Sequence, residues 1–600
     1  MEWRFVIAAA GAALALAAPA AAAPPTPIAE TPTTTPPPAY FGAPATPQPI
    51  SLTDAPPPPR HPFMAPNDRS NIHDDAYQTD TADGPGPLGR DMQRVSTQQF
   101  ADCASVTFDS RGRIETVCVG IGRITLKLFD PRTLEELASF DLPPRSPSLN
   151  VFTDFSGGGY FYLDNRDRAL VVTSSRHLFL IGQTGGGTGF ALQRDYDLSA
   201  AVSSDDKFVS TLPDFSGRLW IVSVKGTILT LDPANGKVQS LATGEPIGNS
   251  FAVDETGGVF IVTDKAMYRF DADRNGEPRV TWREVYDNTG GQKPGQTEHG
   301  SGTTPTLMGS RYVSITDNAD PIDVVVYQRG KVATGSRKIC TQPVFDKGAS
   351  STDNSLIGTA RSMVVENNYG YTGPTSTMGG ATSQGVDRVD VDAGGHDCHR
   401  VWHSTERSPT VVPKLSLENG LVYLYTKEPD PNRVDPFYLT AVDFRTGKTV
   451  YKQLAGYGLG FNNNYAPVSL GPDGTAYVGT LGGLVALRDR VAPGHTQRPG
   501  PAALRRPRLR LALHGLVRPR RRARCAHHSV RAVVTGRDRA LVKRVDFLLG
   551  ARRIARDSRA PFSKQVRRRG LATGRRYRLR ARVSLRDGRK LTLRRRFRAC

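Results

Sequence analysis

Hydrophobic and polar positions along this chain fall into short alternating or wholly apolar runs of four to eight residues. These runs are separated by Gly, Asp and Asn turns, a strand pattern rather than a helical one. The runs are organised in modules. A small residue precedes a bulky one by three positions at Gly217/Trp220, Gly257/Phe260, Gly309/Tyr312, Gly420/Tyr423 and Gly474/Tyr477, with weaker matches at Val171 and Met363. The bulky positions lie 49, 40, 52, 51, 60 and 54 residues apart. A period of about fifty residues built from strands predicts a propeller, because one four-stranded blade cannot bury both faces by itself.

The segments 216–232, 256–271 and 473–489 show the module best: a tight turn, an apolar strand, a second turn, and a strand ending in Asp. Units begin near 104, 157, 206, 250, 304, 354, 410 and 466. That count gives eight blades, with seven as the alternative because the first unit matches poorly. The last unit lacks a full outer strand, which Met92–Gln98 is placed to supply. The expected fold class is all-β: a propeller over 91–492, a linker over 493–502 and a small sandwich over 503–600.

The N-terminus changes this picture. An apolar run from Phe5 to Ala18, followed by small residues to Ala23, predicts a signal peptide over 1–23 and a secreted or cell-surface product. The Pro- and Thr-rich stretch 24–90 reads as a disordered linker. Six cysteines in an exported chain predict disulfides. A hairpin turning at 109–112 brings Cys103 beside Cys118, Cys340 and Cys398 sit alike in adjacent repeats, and Cys525 and Cys600 bracket the last region. There is no CxxC pair and no GxSxG elbow, and Thr184–Gly189 lacks the Lys-Ser/Thr of a phosphate loop.

Net charge is +21, but it is split. Residues 501–600 carry 34 Lys and Arg against 4 Asp, leaving 44 basic and 53 acidic residues before them. In the tail, Tyr577, Leu579, Ala581, Val583 and Leu585 alternate with arginines, which predicts a solvated arginine face suited to an anionic cell-wall polymer or membrane surface. No aromatic stacking motif accompanies the arginines, so specific nucleic-acid readout is not expected. The chain is expected to be a monomer.

Candidate chemistry gathers in loops that a propeller brings to one face. Asn249, Asp353, Asn354 and Asn463 precede innermost strands, while Asp317, Asn318, Glu366 and Asn367 lie between second and third strands. Oxygen donors converging on a channel mouth suit Ca²⁺, and the same residue types also favour turns. Glu298 and His299, in the Gly-rich loop 290–302, are the candidate general-base pair. His396, His399 and His403 flank Cys398, with no acidic partner expected in register.

The phrases at 473–489 and 441–448 resemble the repeats of quinoprotein-like (PQQ-type) propellers, and the segment 544–562 resembles bacterial immunoglobulin-like modules. The first resemblance implies a quinone cofactor. However, the chain has Trp220, Trp282 and Trp402 where that family docks most blades with Trp, and it lacks the adjacent cysteines that line the cofactor. The arrangement of the mouth also resembles calcium-centred lactonase-type propellers. The expected function is an exported propeller that binds an unidentified small-molecule or protein ligand. The alternative is a cation-dependent hydrolase or quinoprotein-like oxidoreductase acting at the channel mouth.

Overall fold

The computed structural model describes residues 24–145, 152–154, 156–490, 508–517, 525–536, 539, 542–550, 552–585 and 590–600. The expected signal peptide (1–23) and linker (493–502) lie outside them.

Each repeat folds as an antiparallel meander. In one, Phe208–Pro213, Leu219–Ser223, Thr227–Leu231 and Val238–Ala242 pair in chain order. Equivalent sheets cover 102–142, 161–197, 252–285, 306–343 and 357–404. The sheet over 414–457 carries an extra strand on each side, and that over 468–489 takes its fourth strand from Met92–Gln98, as expected from the sequence. This last sheet packs against Asp102–Phe108 of the first, so the succession closes on itself as a β-propeller. Middle strands such as Leu219–Ser223, Tyr312–Thr316 and Leu421–Thr426 are buried throughout, because neighbouring sheets cover both their faces. The outermost Gly189–Asp197 is largely exposed, which explains its polar sequence.

The turn before each bulky residue has a chemical basis that the Gly spacing only hints at. Asp109, Asp164, Asp214 and Asp254 each use Oδ1 to accept two backbone N–H groups across the turn. Gly217, at φ 95°, supplies the left-handed residue that closes one of these turns. Trp220 then drops into the core and donates Nε1–H to Asp214 Oδ2 at 3.1 Å.

The cysteines pair as Cys103–Cys118, Cys340–Cys398 and Cys525–Cys600, the pairing expected from the sequence. The first hairpin is wider by one residue than the sequence suggests. Phe108 pairs with Ile114, and a register shift between Asp102 and Ser105 brings the two cysteine Cα atoms to 4.0 Å.

The stretch 24–90 is not the disordered linker its composition predicts. Tyr40–Gly42 adds an outer strand to the 414–457 sheet through Tyr451–Gln453. Residues 64–82 then run past the innermost strands, and most of them are buried. Their carbonyls receive N–H groups from one strand after another: Arg69 from Phe108, Ser70 from Leu163, Ala76 from Val253, Tyr77 from Leu307, Thr79 from Gly358, Asp80 from Leu415 and Ala82 from Leu417, at 2.8–3.2 Å. The physical reason is that innermost strands leave N–H groups unpaired towards the channel, and buried donors require acceptors. A polar, extended segment supplies these acceptors to the sheets over 102–142, 161–197, 252–285, 306–343, 357–404 and 414–457.

Residues 508–600 form a separate core. The three-stranded sheet of Leu509–His514, Val530–Gly536 and Ser563–Val566 and a five-stranded sheet enclose Val534, Val545, Phe547, Leu579, Val583 and Phe597. Cys525–Ala526 pairs in parallel with Arg598–Ala599, next to the disulfide that joins the two ends.

Candidate functional site: the channel mouth

The segment 64–82 bonds mainly to the last residues of innermost strands, such as Phe108, Leu163, Val253 and Gly358. It therefore stops the channel at one end, and the candidate loops lead into the opposite end. A buried charge cluster locks the stopper. Lys414, fully buried on the innermost strand Lys414–Ser416, places Nζ 2.5 Å from Asp80 Oδ1, 3.3 Å from Asp74 and 2.7 Å from the Ile72 carbonyl. His73 Nδ1 lies 3.0 Å from Asp80 Oδ2. Burial pushes Asp74 up to about 7, against the pull of the Lys414 ammonium, and Asp75 up to about 8.

From within the stopper, His73 stacks on Tyr160 and its Nε2 lies 3.4 Å from Ser355 Oγ, so the segment reaches the loops that lead into the innermost strands. Tyr160 donates to Asn249 Oδ1 at 3.3 Å, and its hydroxyl is held well above its usual range by burial and by the nearby Asp353, Asp80 and Glu298. Asn354, Glu366 and Asn368 form one network. Asn368 Nδ2 donates to Glu366 Oε1 at 2.7 Å, Asn354 Nδ2 donates to the same oxygen, and Asn368 Oδ1 accepts from the Asp353 amide at 2.9 Å. Burial raises both Asp353 and Glu366 to about 7. Asp353 Oδ1, Glu366 Oε2 and Asn463 Oδ1 are buried acceptors with no partner among the described residues.

The other candidates serve loops. Asp317 Oδ1 accepts from the Ala319 and Asp323 amides at 3.1 and 2.8 Å, and burial raises its carboxyl to about 8. Asn318 donates to Asn288, Gly291 and the His299 carbonyl; Asn367 donates to the Ala349 and Gln384 carbonyls; Asn463 donates to the Thr410 and Ala466 carbonyls. Among the described residues, no three of the candidate carboxylates bring oxygens within 4.8 Å of one another. Cys525, His527 and Cys600 do cluster that closely, but their two sulfurs are joined in the disulfide. His299 is exposed and serves the loop through its carbonyl, while burial raises the Glu298 carboxyl.

One exclusion from the sequence is corrected. His403 does have an acidic partner: Asp387 lies opposite it across the strand pair, with Nδ1 2.6 Å from Oδ1. Sequence reading missed the stopper residues, although the dense polar run at 71–84 differs visibly from the proline-rich sequence before it.

No known protein family matches the chain. An uncharacterised protein of Archaeoglobus fulgidus is 28% identical over 367 residues, covering 55% of this chain and 70% of that one. Among solved structures, BamB from Moraxella catarrhalis aligns at a TM-score of 0.38 with 11% identity over 69% of this chain and 98% of its own. The C-terminal WD40 domain of Sif2 aligns at 0.40 with 10% identity over 67% and 99%.

Proposed function

We propose that this chain is an exported, surface-held binding protein. It pairs an eight-bladed propeller of quinoprotein-like repeats with a basic immunoglobulin-like module. The segment 64–82 running across the innermost strands supports a scaffold or binding role rather than passage through the ring. Three disulfides and the apolar leader support an extracytoplasmic location. The hydrolase and oxidoreductase readings draw no support from the mouth, where Asp317, Asn318 and Asn367 are spent on loop geometry.

The observation that carries the proposal is a ladder of like charges. In the C-terminal sheet, Arg576 lies directly opposite Arg598, Arg578 opposite Arg596 and Arg580 opposite Arg594. Leu579, Ala581 and Val583 turn to the core between them. Like charges facing one another across strands destabilise a sheet. Asp546 is the nearby counter-charge, but it is engaged by Arg556 at 2.8 Å. A polyanion laid along the ladder relieves the repulsion. The test compares the full chain with a chain ending at residue 492 on immobilised poly(glycerol phosphate) and on vesicles rich in phosphatidylserine. Salt-sensitive retention of the full chain alone is the expected result; equal retention of both overturns the anchoring role. The polymer and vesicle arms separate a wall partner from a lipid one.

A further inference from the structure

Where the ring closes, the sheet over 102–142, the end of Met92–Gln98 and the loops at 459–464 and 481–482 leave a cavity of about 420 Å³. That volume falls in the range of roughly 300–1,000 Å³ typical of small-molecule sites. Val117, Val119 and Leu481 line it, and Phe100 and Ile121 stand at its rim 84% and 89% exposed. Phe100 is held at φ 51° by N–H donation to the Gly482 carbonyl, and Asn464, on the opposite wall, sits at φ 38°. A bulky exposed residue in left-handed conformation is strained, and such strain collects at ligand sites.

The floor is polar and incompletely bonded. Arg145 donates to the Ser156 carbonyl but leaves its buried Nε without a partner among the described residues. The Oδ1 of Asp102 is closed off from solvent and likewise unpartnered. Asp154, the other acid at the floor, pairs with Lys207 at 2.6 Å and also feels the Arg145 guanidinium. Asn464 accepts from Tyr371 and donates to the Phe152 carbonyl. Burial raises the Asp102 carboxyl to about 8, so near neutral pH it is uncharged and can donate its proton in a hydrogen bond. What remains is one guanidinium with a spare N–H beside a carboxyl O–H, beneath an apolar wall.

We propose that this cavity binds a small amphipathic carboxylate, its tail against Phe100, Ile121 and Val119 and its head on Arg145 beside Asp102. The site shares the 459–464 loop with the mouth residue Asn463 but involves no residue of the basic tail, so its test and that of the anchoring role proposed above fail independently.

The test is calorimetric titration of the full chain with decanoate, decanol and decyltrimethylammonium, each below its micelle concentration. Decanoate is expected to saturate one site and to bind at least tenfold more tightly than decanol. Arg145→Gln should remove that preference, and Arg145→Lys should restore part of it. Phe100→Ala, a change at an exposed position, should weaken both decanoate and decanol several-fold. Attraction of decanoate to the basic tail is common to all variants and does not mask these differences. Raising the pH from about 6.5 to about 9 ionises Asp102, whose charged and polar neighbours are Arg145, Asp154, Asn464 and Tyr371, so decanoate affinity should fall. No saturable site up to the solubility limit, tighter binding of the cationic amphiphile, or unchanged affinity in folded Arg145→Gln each overturns the proposal.

Discussion

Replacing Lys414 by Met tests whether the N-terminal segment is part of the folded propeller. Lys414 is wholly buried, and its ammonium meets Asp80, Asp74 and the Ile72 carbonyl, all on the stopper. Met keeps most of the side-chain volume and removes the charge, leaving the His73 imidazole as the side chain against Asp80. Breaking one side of a buried pair costs about 3–5 kcal/mol. For a body of about 400 residues the unfolding entropy is roughly 0.8 kcal/mol/K, so the melting temperature should fall by about 4–6 °C. The assay is differential scanning calorimetry together with amide exchange of peptides from 64–83. Adding Asp80→Asn to Lys414→Met should recover part of the loss, because it removes the stranded carboxylate. A melting temperature within about one degree of the parent chain, with unchanged exchange in 64–83, would refute the lock.

Two further outcomes follow from the same structure. Asp214→Ala removes the acceptor for two turn amides and for the Trp220 indole, and should cost about 2–4 kcal/mol by urea unfolding, whereas Asp205→Ala, on the exposed surface, should cost little. Stability should also fall as pH rises from about 4 to about 8. Asp74, Asp75, Glu115, Asp353 and Glu366 have folded values raised to about 7 or 8, so over that window the folded chain holds protons that the unfolded chain has released. His61, lowered to about 4 by burial, acts in the opposite direction between about 4 and 6.5, but it is one group against these five and against Asp102 and Asp317, both also raised to about 8. A melting temperature that rises steadily between pH 5 and pH 8 would contradict these assignments.

The repeat was legible because burial on both faces forces apolar middle strands, and a turn needing Asp and then Gly leaves a spaced mark such as Asp214–Gly217–Trp220. Ring closure by Met92–Gln98 was legible for a related reason: the last unit was one strand short. The stopper was not. Its bonds run from backbone carbonyls at 69–82 to amides spread along the chain from Phe108 to Leu417, and backbone pairing leaves no side-chain signature. Composition pointed to a spacer because it reports on core-forming capacity, and this segment borrows a core instead of building one. At the mouth, Asn and Asp occur where expected, but their roles differ. Asn318 and Asn367 hold loops, whereas Asn354 and Glu366 share a buried network, and only three-dimensional partners separate the two uses. The seam cavity escaped sequence reading because Asp102, Arg145 and Asn464 lie far apart in the chain and match no motif.

The arginine ladder offers the most direct test of surface attachment. Changing Arg578, Arg580, Arg594 and Arg596 together to Gln removes two facing pairs while leaving Leu579, Ala581 and Val583 in the core. Retention of the full chain on poly(glycerol phosphate) should then drop by orders of magnitude at low salt. Its logarithmic salt dependence should flatten by roughly one unit for each lost contact, as counterion release requires. Relief of like-charge repulsion should meanwhile leave the melting temperature of the C-terminal region unchanged or higher. Retention and salt slope equal to those of the parent chain, in a variant that melts normally, would show that the arginines do not attach this protein to an anionic surface.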